Sequence, residues 1–187
     1  VKMLAFSDIW FHNFKEKNTR AILSYDWKLR SLPNYFQQLE MESLGKRPSK
    51  NSEFKKTGQI IFGGYGPTAQ HSYFQLLHQG TQNICADIIL NQENEYNGLA
   101  YSQGITQARL LSEGAKTLLK DEETINGNVP VNLFIFDGID AKKLGFLIAT
   151  WEYRVFITSV MLQINPFDQF GVNAGKIYTK KYQIKKD

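Results

Sequence analysis

The hydrophobic residues of this chain fall into two kinds of run that alternate. Four runs are short and continuous: RAILSYD (20–26), QIIFGG (59–64), ICADIIL (84–90) and VNLFIF (131–136). Apolar stretches of that length, bounded by Gly, Asn, Asp or Pro, predict strands buried on both faces. Between them, apolar residues recur at helical spacing. One set is Leu32, Tyr35, Phe36 and Leu39; another is Tyr73, Phe74, Leu76 and Leu77, in a helix expected to begin near Thr68. Ile105, Ala108, Leu111 and Ala115 form a third, and a long helix is expected from about 140 to 164. The order β-α-β-α predicts an α/β domain with a mostly parallel central sheet flanked by helices. Asn165 and Pro166 read as the cap and first residue of a further helix. On it Gln169 and Lys176 stand two turns apart and share a face. The chain opens on an apolar pattern, Val1, Met3, Leu4, Ile9, Trp10 and Phe14, with no capping lead-in, so sequence upstream is expected to be missing.

Composition narrows the class. With 187 residues, 42% hydrophobic and 21% charged, the chain can bury a sizeable core, which excludes a disordered protein. The most apolar run, 144–164, contains Glu152 and Arg154, whose charges oppose a bilayer centre, so it reads as a core helix and not a membrane span. The net charge of +4 comes with basic clusters at 46–56 and 176–186. Tyr178 and Tyr182 are the only aromatics in the second, so the clusters read as a solvated loop and tail and no nucleic-acid partner is expected. The single Cys85, among Ile84, Ala86 and Ile88, reads as a small buried hydrophobe in a reducing compartment, the cytoplasm.

Three stretches carry candidate chemistry. In FGGYGPTAQHSYFQLLHQGT (62–81) a strand runs into a glycine-rich turn and then a helix, with His71 in its expected first turn. Ligands of parallel sheets bind beyond the strands' carboxyl ends, where such a histidine is able to act as acid or base. The glycines fit a tight turn equally well, since neither a P-loop nor a GxGxxG pattern is present. QQLEMESLGK (37–46) places Glu40 and Glu42 in the last turn of a helix, where the dipole disfavours acids. In NPFDQFGVNAGK (165–176), Lys176 sits beside Gly171 and Gly175, which leave room for it to reach into a cleft. The three histidines and one cysteine form no metal-ligand spacing, and no Ser-His-Asp or Cys-His motif appears, so no metal or cofactor is expected.

Together LPNYFQQLEMESLGK (32–46), GPTAQHSYFQLLHQGT (66–81) and NPFDQFGVNAGK (165–176) resemble, in order and spacing, the three C-terminal motifs of the phosphoglucose isomerase family. The resemblance implies a sugar-isomerase (SIS-type) α/β sandwich with a C-terminal helical extension from about 140 to 187. It implies interconversion of glucose 6-phosphate and fructose 6-phosphate, in glycolysis and gluconeogenesis, by a cytoplasmic homodimer with a shared active site. By the same resemblance Glu42 is the base that shuttles a proton between C1 and C2, His71 opens the ring in the partner subunit's site, and Lys176 assists ring opening. Gln38 and Gln169 fall on residues that bind the sugar phosphate. Gln38 and Glu42, four residues apart, share a helix face, and Glu40 is expected at the surface. The chain departs from the family pattern at Leu44, Gly64, Pro67, Thr68 and Asn173. The first sugar-isomerase domain, with its phosphate cradle and an arginine for the enediolate, is expected upstream. A sugar-phosphate-binding module without turnover is the competing reading. It would have no need of Glu42 and Lys176 together.

Overall fold

The computed structural model describes residues 1–92, 98–115 and 120–184. Helix α1 (Lys2–Ile9) continues into one wide turn, Trp10–Phe14, which leads to β1 (Thr19–Ser24). Then come α2 (Leu32–Leu44), β2 (Ile60–Tyr65), two short helices α3 (Gly66–Ala69) and α4 (Phe74–Gln79), and β3 (Ile84–Asn91). Helix α5 (Gly98–Glu113) is followed by β4 (Val131–Phe136), the long α6 (Ala141–Leu162) and α7 (Phe170–Ile184). The four strands form one parallel sheet in the order β2-β1-β3-β4.

Helices cover both faces of this sheet. On one face Ala21, Leu23, Ala86, Ile88 and Leu90 pack against Phe74, Leu77, Ala108 and Leu111 from α4 and α5. On the other, Ile22, Ile61 and Ile89 meet Phe36 of α2 and Leu147 and Trp151 of α6. The Phe36 and Trp151 rings stack at 4.0 Å, locking α2 to α6. Alternate residues of each strand thus feed two cores, which is why the central runs read as continuous hydrophobicity.

The predicted strands are present, but only β1 and β3 are buried on both faces. β2 and β4 are the sheet edges, and Leu133 and Ile135 of β4 remain exposed. The helix expected from Thr68 is broken at residues 70–73. The break lets the Gln70 amide donate to the Tyr25 hydroxyl at 3.1 Å and the Tyr73 ring lie edge-on to Phe62. His71 therefore sits in a turn between two short helices. Ala115 lies past the end of α5, paired with Ile125 in an isolated antiparallel bridge. Asn165 and Pro166 form a turn and not a helix start: the Asn165 carboxamide oxygen accepts from the Phe167 amide at 3.0 Å, and α7 begins only at Phe170. Among the described residues no helix is long and apolar enough to cross a membrane.

The wide turn at Trp10–Phe14 has a function in packing. It turns His12 inward, where it is buried near Asp8 on its own helix, Arg20 of β1, Glu40 of α2 and the Lys56 ammonium. Burial, then Lys56 and Arg20, lower its pKa from 6.5 to about 4, against an opposing contribution from Asp8. The folded form thus binds this proton more weakly than the unfolded chain does. Unfolding then takes up a proton as pH falls from 6.5 to about 4, and the stabilisation present above that window is lost across it. Thermal melts of the full-length protein should show a smaller acid-induced drop for His12→Asn than for the parent across that window. Equal drops would show that His12 keeps an ordinary affinity for its proton.

Candidate active site

Helix α2 buries the stripe Pro33, Phe36, Glu40 and Leu44. That spacing, i, i+4 and i+8 from Phe36, leaves Gln38 and Glu42 together on the opposite, exposed side. Glu40, expected at the surface, is only 3% exposed and lies in the ion-pair network at the heart of the domain. It accepts from the Trp151 indole at 2.9 Å and from the Arg20 guanidinium. Arg154 binds Asp8 through two bonds of 2.6 Å and Asp87 through one of 2.7 Å, and Asn132 donates to Asp87 at 2.7 Å. Burial opposes ionisation of Asp87, yet Arg154 and Arg20 outweigh it and hold its carboxyl below the usual range. Glu40 goes the other way: burial, reinforced by Asp8 and Asp87, pushes its carboxyl up despite the two arginines. Of the two acids in the last turn of α2, Glu40 is structural and Glu42 is the exposed one.

Glu42 faces a cavity of about 880 Å³, a volume typical of small-molecule sites. Its walls are the last turn of α2, the loop with Lys46, Arg47 and Ser49, and residues 163–165 and 168–172, Gln169 among them. Two segments that are remote in sequence thus converge on one site. Gln38 lies one turn earlier on the Glu42 face, and Lys176 two turns along α7 from Gln169; neither lines the cavity. Gln169 itself precedes α7 and its carbonyl accepts the first helical bond, from Asn173 at 3.1 Å. Every side chain of α7 through residue 183 is exposed.

His71 is not brought to this cavity. It is exposed just past the carboxyl end of β2, next to Gln70 and its partner Tyr25. Helix α2 runs back antiparallel to the strands, so Glu42 lies at the opposite edge. Gln37 donates to the Ile61 carbonyl at 2.7 Å, and Leu44 abuts Gly58, just ahead of β2. The two residues are separated by roughly the length of a strand, about 17–20 Å. The glycine-rich turn beside His71 serves packing: a Cβ on Gly63 would fall 1.8 Å from the Ile22 carbonyl oxygen, and one on Gly66 2.4 Å from the Tyr25 ring. Cys85 is buried as expected, its thiol pushed up to about 11 by burial, and so unreactive. Among the described residues no group of three or more His, Cys, Asp or Glu is placed to hold a metal ion.

Sequence reasoning missed the buried network. Its signal was present: Arg20 and Asp87 stand inside two otherwise apolar strands, Glu40 inside the buried stripe of α2, and Arg154 inside a core helix. Charges at core positions are tolerated only when paired.

Fold and cavity define the class: an open parallel α/β domain in which a helix end and a distant loop enclose one cavity. A family model described as phosphoglucose isomerase matches residues 1–187, and the chain belongs to that family. It is 37% identical to glucose-6-phosphate isomerase of Hydrogenovibrio crunogenus, over 99% of this chain and 39% of that protein. The corresponding enzyme of Acinetobacter baumannii is 39% identical, over 93% of this chain and 36% of the relative. The crystal structure of a glucose-6-phosphate isomerase from Chlamydia trachomatis superimposes with a TM-score of 0.87 at 27% identity, over 99% of this chain and 38% of that one. A hypothetical protein from Thermus thermophilus shares the fold, with a TM-score of 0.77 at 20% identity. The chain thus spans well under half the length of the curated relatives it matches.

Proposed function

We propose that this chain is the C-terminal sugar-isomerase portion of a longer cytoplasmic enzyme that interconverts glucose 6-phosphate and fructose 6-phosphate. The observation that carries the reading is the meeting of Glu42 and Gln169, from two of the three family motifs, on the walls of one cavity. In this reading Glu42 removes the proton from C2 of the open-chain aldose, the enediolate forms, and the same carboxyl returns the proton at C1. The electron pair of the broken C–H bond becomes the C1–C2 double bond while the C1 carbonyl π pair moves onto O1; return of the proton to C1, with the O2 hydroxyl proton passing to O1, leaves the carbonyl at C2, so the conversion is redox-neutral and uses no redox partner. Gln38, on the same face of α2, and Gln169 hold the sugar phosphate. Lys176 assists ring opening, which requires α7 to be packed against the rest of the longer protein.

Ring opening also needs an acid near the ring oxygen. The strand-length separation of His71 from Glu42 supports a reading in which His71 serves the site of a second subunit in a homodimer. The test mixes two full-length variants, His71→Ala and Glu42→Gln, each inactive alone. Refolded together, they should regain part of the parental isomerisation, read by coupling glucose 6-phosphate to its dehydrogenase in the presence of a chelator. A mixed dimer builds one site with both residues intact. No recovery from verified mixed dimers would place His71 in its own subunit's site. Parental activity abolished by the chelator alone and restored by a divalent ion would overturn the metal-free mechanism.

A further inference from the structure

The last four carbonyls of a helix have no partner inside it, and the negative end of the dipole repels acids. Helix α2 ends at Leu44 with Glu42 in that last turn, so something must settle both problems. The Met41 carbonyl accepts from the Gly45 amide at 3.0 Å, and the Leu44 carbonyl from the Lys46 amide at 2.7 Å. The remaining two, Glu42 and Ser43, accept from the Lys46 ammonium at 2.6 and 3.2 Å. One residue therefore closes three of the four open carbonyls and brings a cation to the negative pole.

Lys46 does not behave as a member of a solvated basic loop. Its side chain is largely buried, at 15% exposure. Its own carbonyl accepts from the Thr57 hydroxyl at 2.6 Å, which fixes the backbone from which the side chain springs. From that anchor the ammonium also pairs with Asp168 at 3.8 Å, the residue directly before Gln169. The two walls of the cavity, the Glu42 turn and the Gln169 segment, are thus joined through one ammonium.

We infer that Lys46 is a positioning residue for the isomerase site: it caps the turn that carries Glu42 and clasps it to the segment that carries Gln169. The inference rests on the functional reading above. A base must be held to a fraction of an ångström relative to the carbon it deprotonates, and a misplacement of about 1 Å costs up to about 10²-fold in rate. Such a loss falls on the transition state more than on the bound substrate, so it lowers kcat with little change in KM.

The experiment uses the full-length enzyme. Lys46→Met keeps the unbranched apolar stem and removes charge and donors; it should lower kcat about 10- to 100-fold with KM within a few-fold of parent. Lys46→Arg, which retains a cation able to reach the same carbonyls, should recover much of that loss. Asp168→Asn should lower kcat more mildly, and adding it to Lys46→Met should cost nothing further, since the pair is already broken. Circular dichroism and melting temperature give the folded fraction, so that kcat is expressed per folded molecule. Lys46→Met with parental kcat per folded molecule overturns the inference, as does a large rise in KM at parental kcat, which would make Lys46 a direct phosphate contact. If Lys46→Met does not fold, Asp168→Asn decides, with unchanged kcat counting against the clasp. Glu42→Gln serves as reference: should it keep full activity, the functional reading fails, and this inference with it.

Discussion

Glu42→Gln in the full-length protein is expected to lose about 10²- to 10⁴-fold in kcat, the usual cost of removing a general base. The structure makes this a clean substitution. Glu42 is exposed on the cavity side of α2, opposite the buried stripe of Phe36, Glu40 and Leu44. An amide of the same shape disturbs no packing, and the Lys46 cap binds the backbone carbonyl of residue 42, which the variant retains. Melting temperature should therefore stay at the parental value. Substrate affinity should change little, because the proton transfer depends on basicity and binding depends on the phosphate and hydroxyls. Steady-state kinetics in both directions, together with a thermal melt, check all three statements. Turnover within a few-fold of parent would reduce Glu42 to a helix-end acid and favour the reading of a sugar-phosphate-binding module.

The comparison with Glu40 shows how far such a site can be read from sequence. Both acids stand in one helical turn, and their chemical type is identical. What separates them is the phase of the stripe: Glu40 is four residues from Phe36 and from Leu44, so it points into the core. That phase is legible in the sequence, but the sense of reading a glutamate as buried depends on knowing that Arg20 and Trp151 are waiting for it. These partners come from β1 and α6, and only the folded chain brings them together. The strands were legible to within a residue or two because each run of apolar residues ends where a polar loop begins. Their status as edge or centre was not, since strand order depends on which crossovers the helices choose.

The helix boundaries that sequence misplaced have two causes. At residues 70–73 the tertiary contacts of Gln70 and Tyr73 outweigh continuous helical propensity. At 165–168 the Asn-Pro signal for a helix start is equally a signal for a turn, and the Asn165 side chain spends its oxygen on the nearby Phe167 amide. Gln169 then becomes the residue just before α7, its carbonyl accepting the first helical bond, seven residues ahead of Lys176. The candidate site was therefore legible as residues on shared faces, while the cavity walls and the Lys46 bonds between them were visible only in three dimensions.

Arg154→Met is expected to destabilise the protein by about 3–5 kcal/mol, the range for breaking a buried ion pair from one side. Arg154 is 1% exposed and holds Asp8 of α1 and Asp87 of β3 at once, while Arg20 of β1 reaches Asp8, Glu40 and Asp87. With two guanidinium groups facing three carboxyls, the cluster is already short of positive charge. Removing Arg154 leaves one arginine against three acids in a site with almost no access to water. Desolvation then wins over attraction, and the acids must take up protons or drag water inward. The effect should appear as a fall in melting temperature on the order of 10 °C, growing less severe at acid pH as the stranded carboxyls protonate. Adding Asp8→Asn to Arg154→Met should restore part of the loss, because it removes one of the charges left behind; on its own Asp8→Asn should destabilise. That inversion of sign is the signature of directly coupled charges. A melting temperature for Arg154→Met within a degree or two of parent would show instead that the network contributes no net stability and that packing of Phe36 on Trp151 carries the joint between α2 and α6.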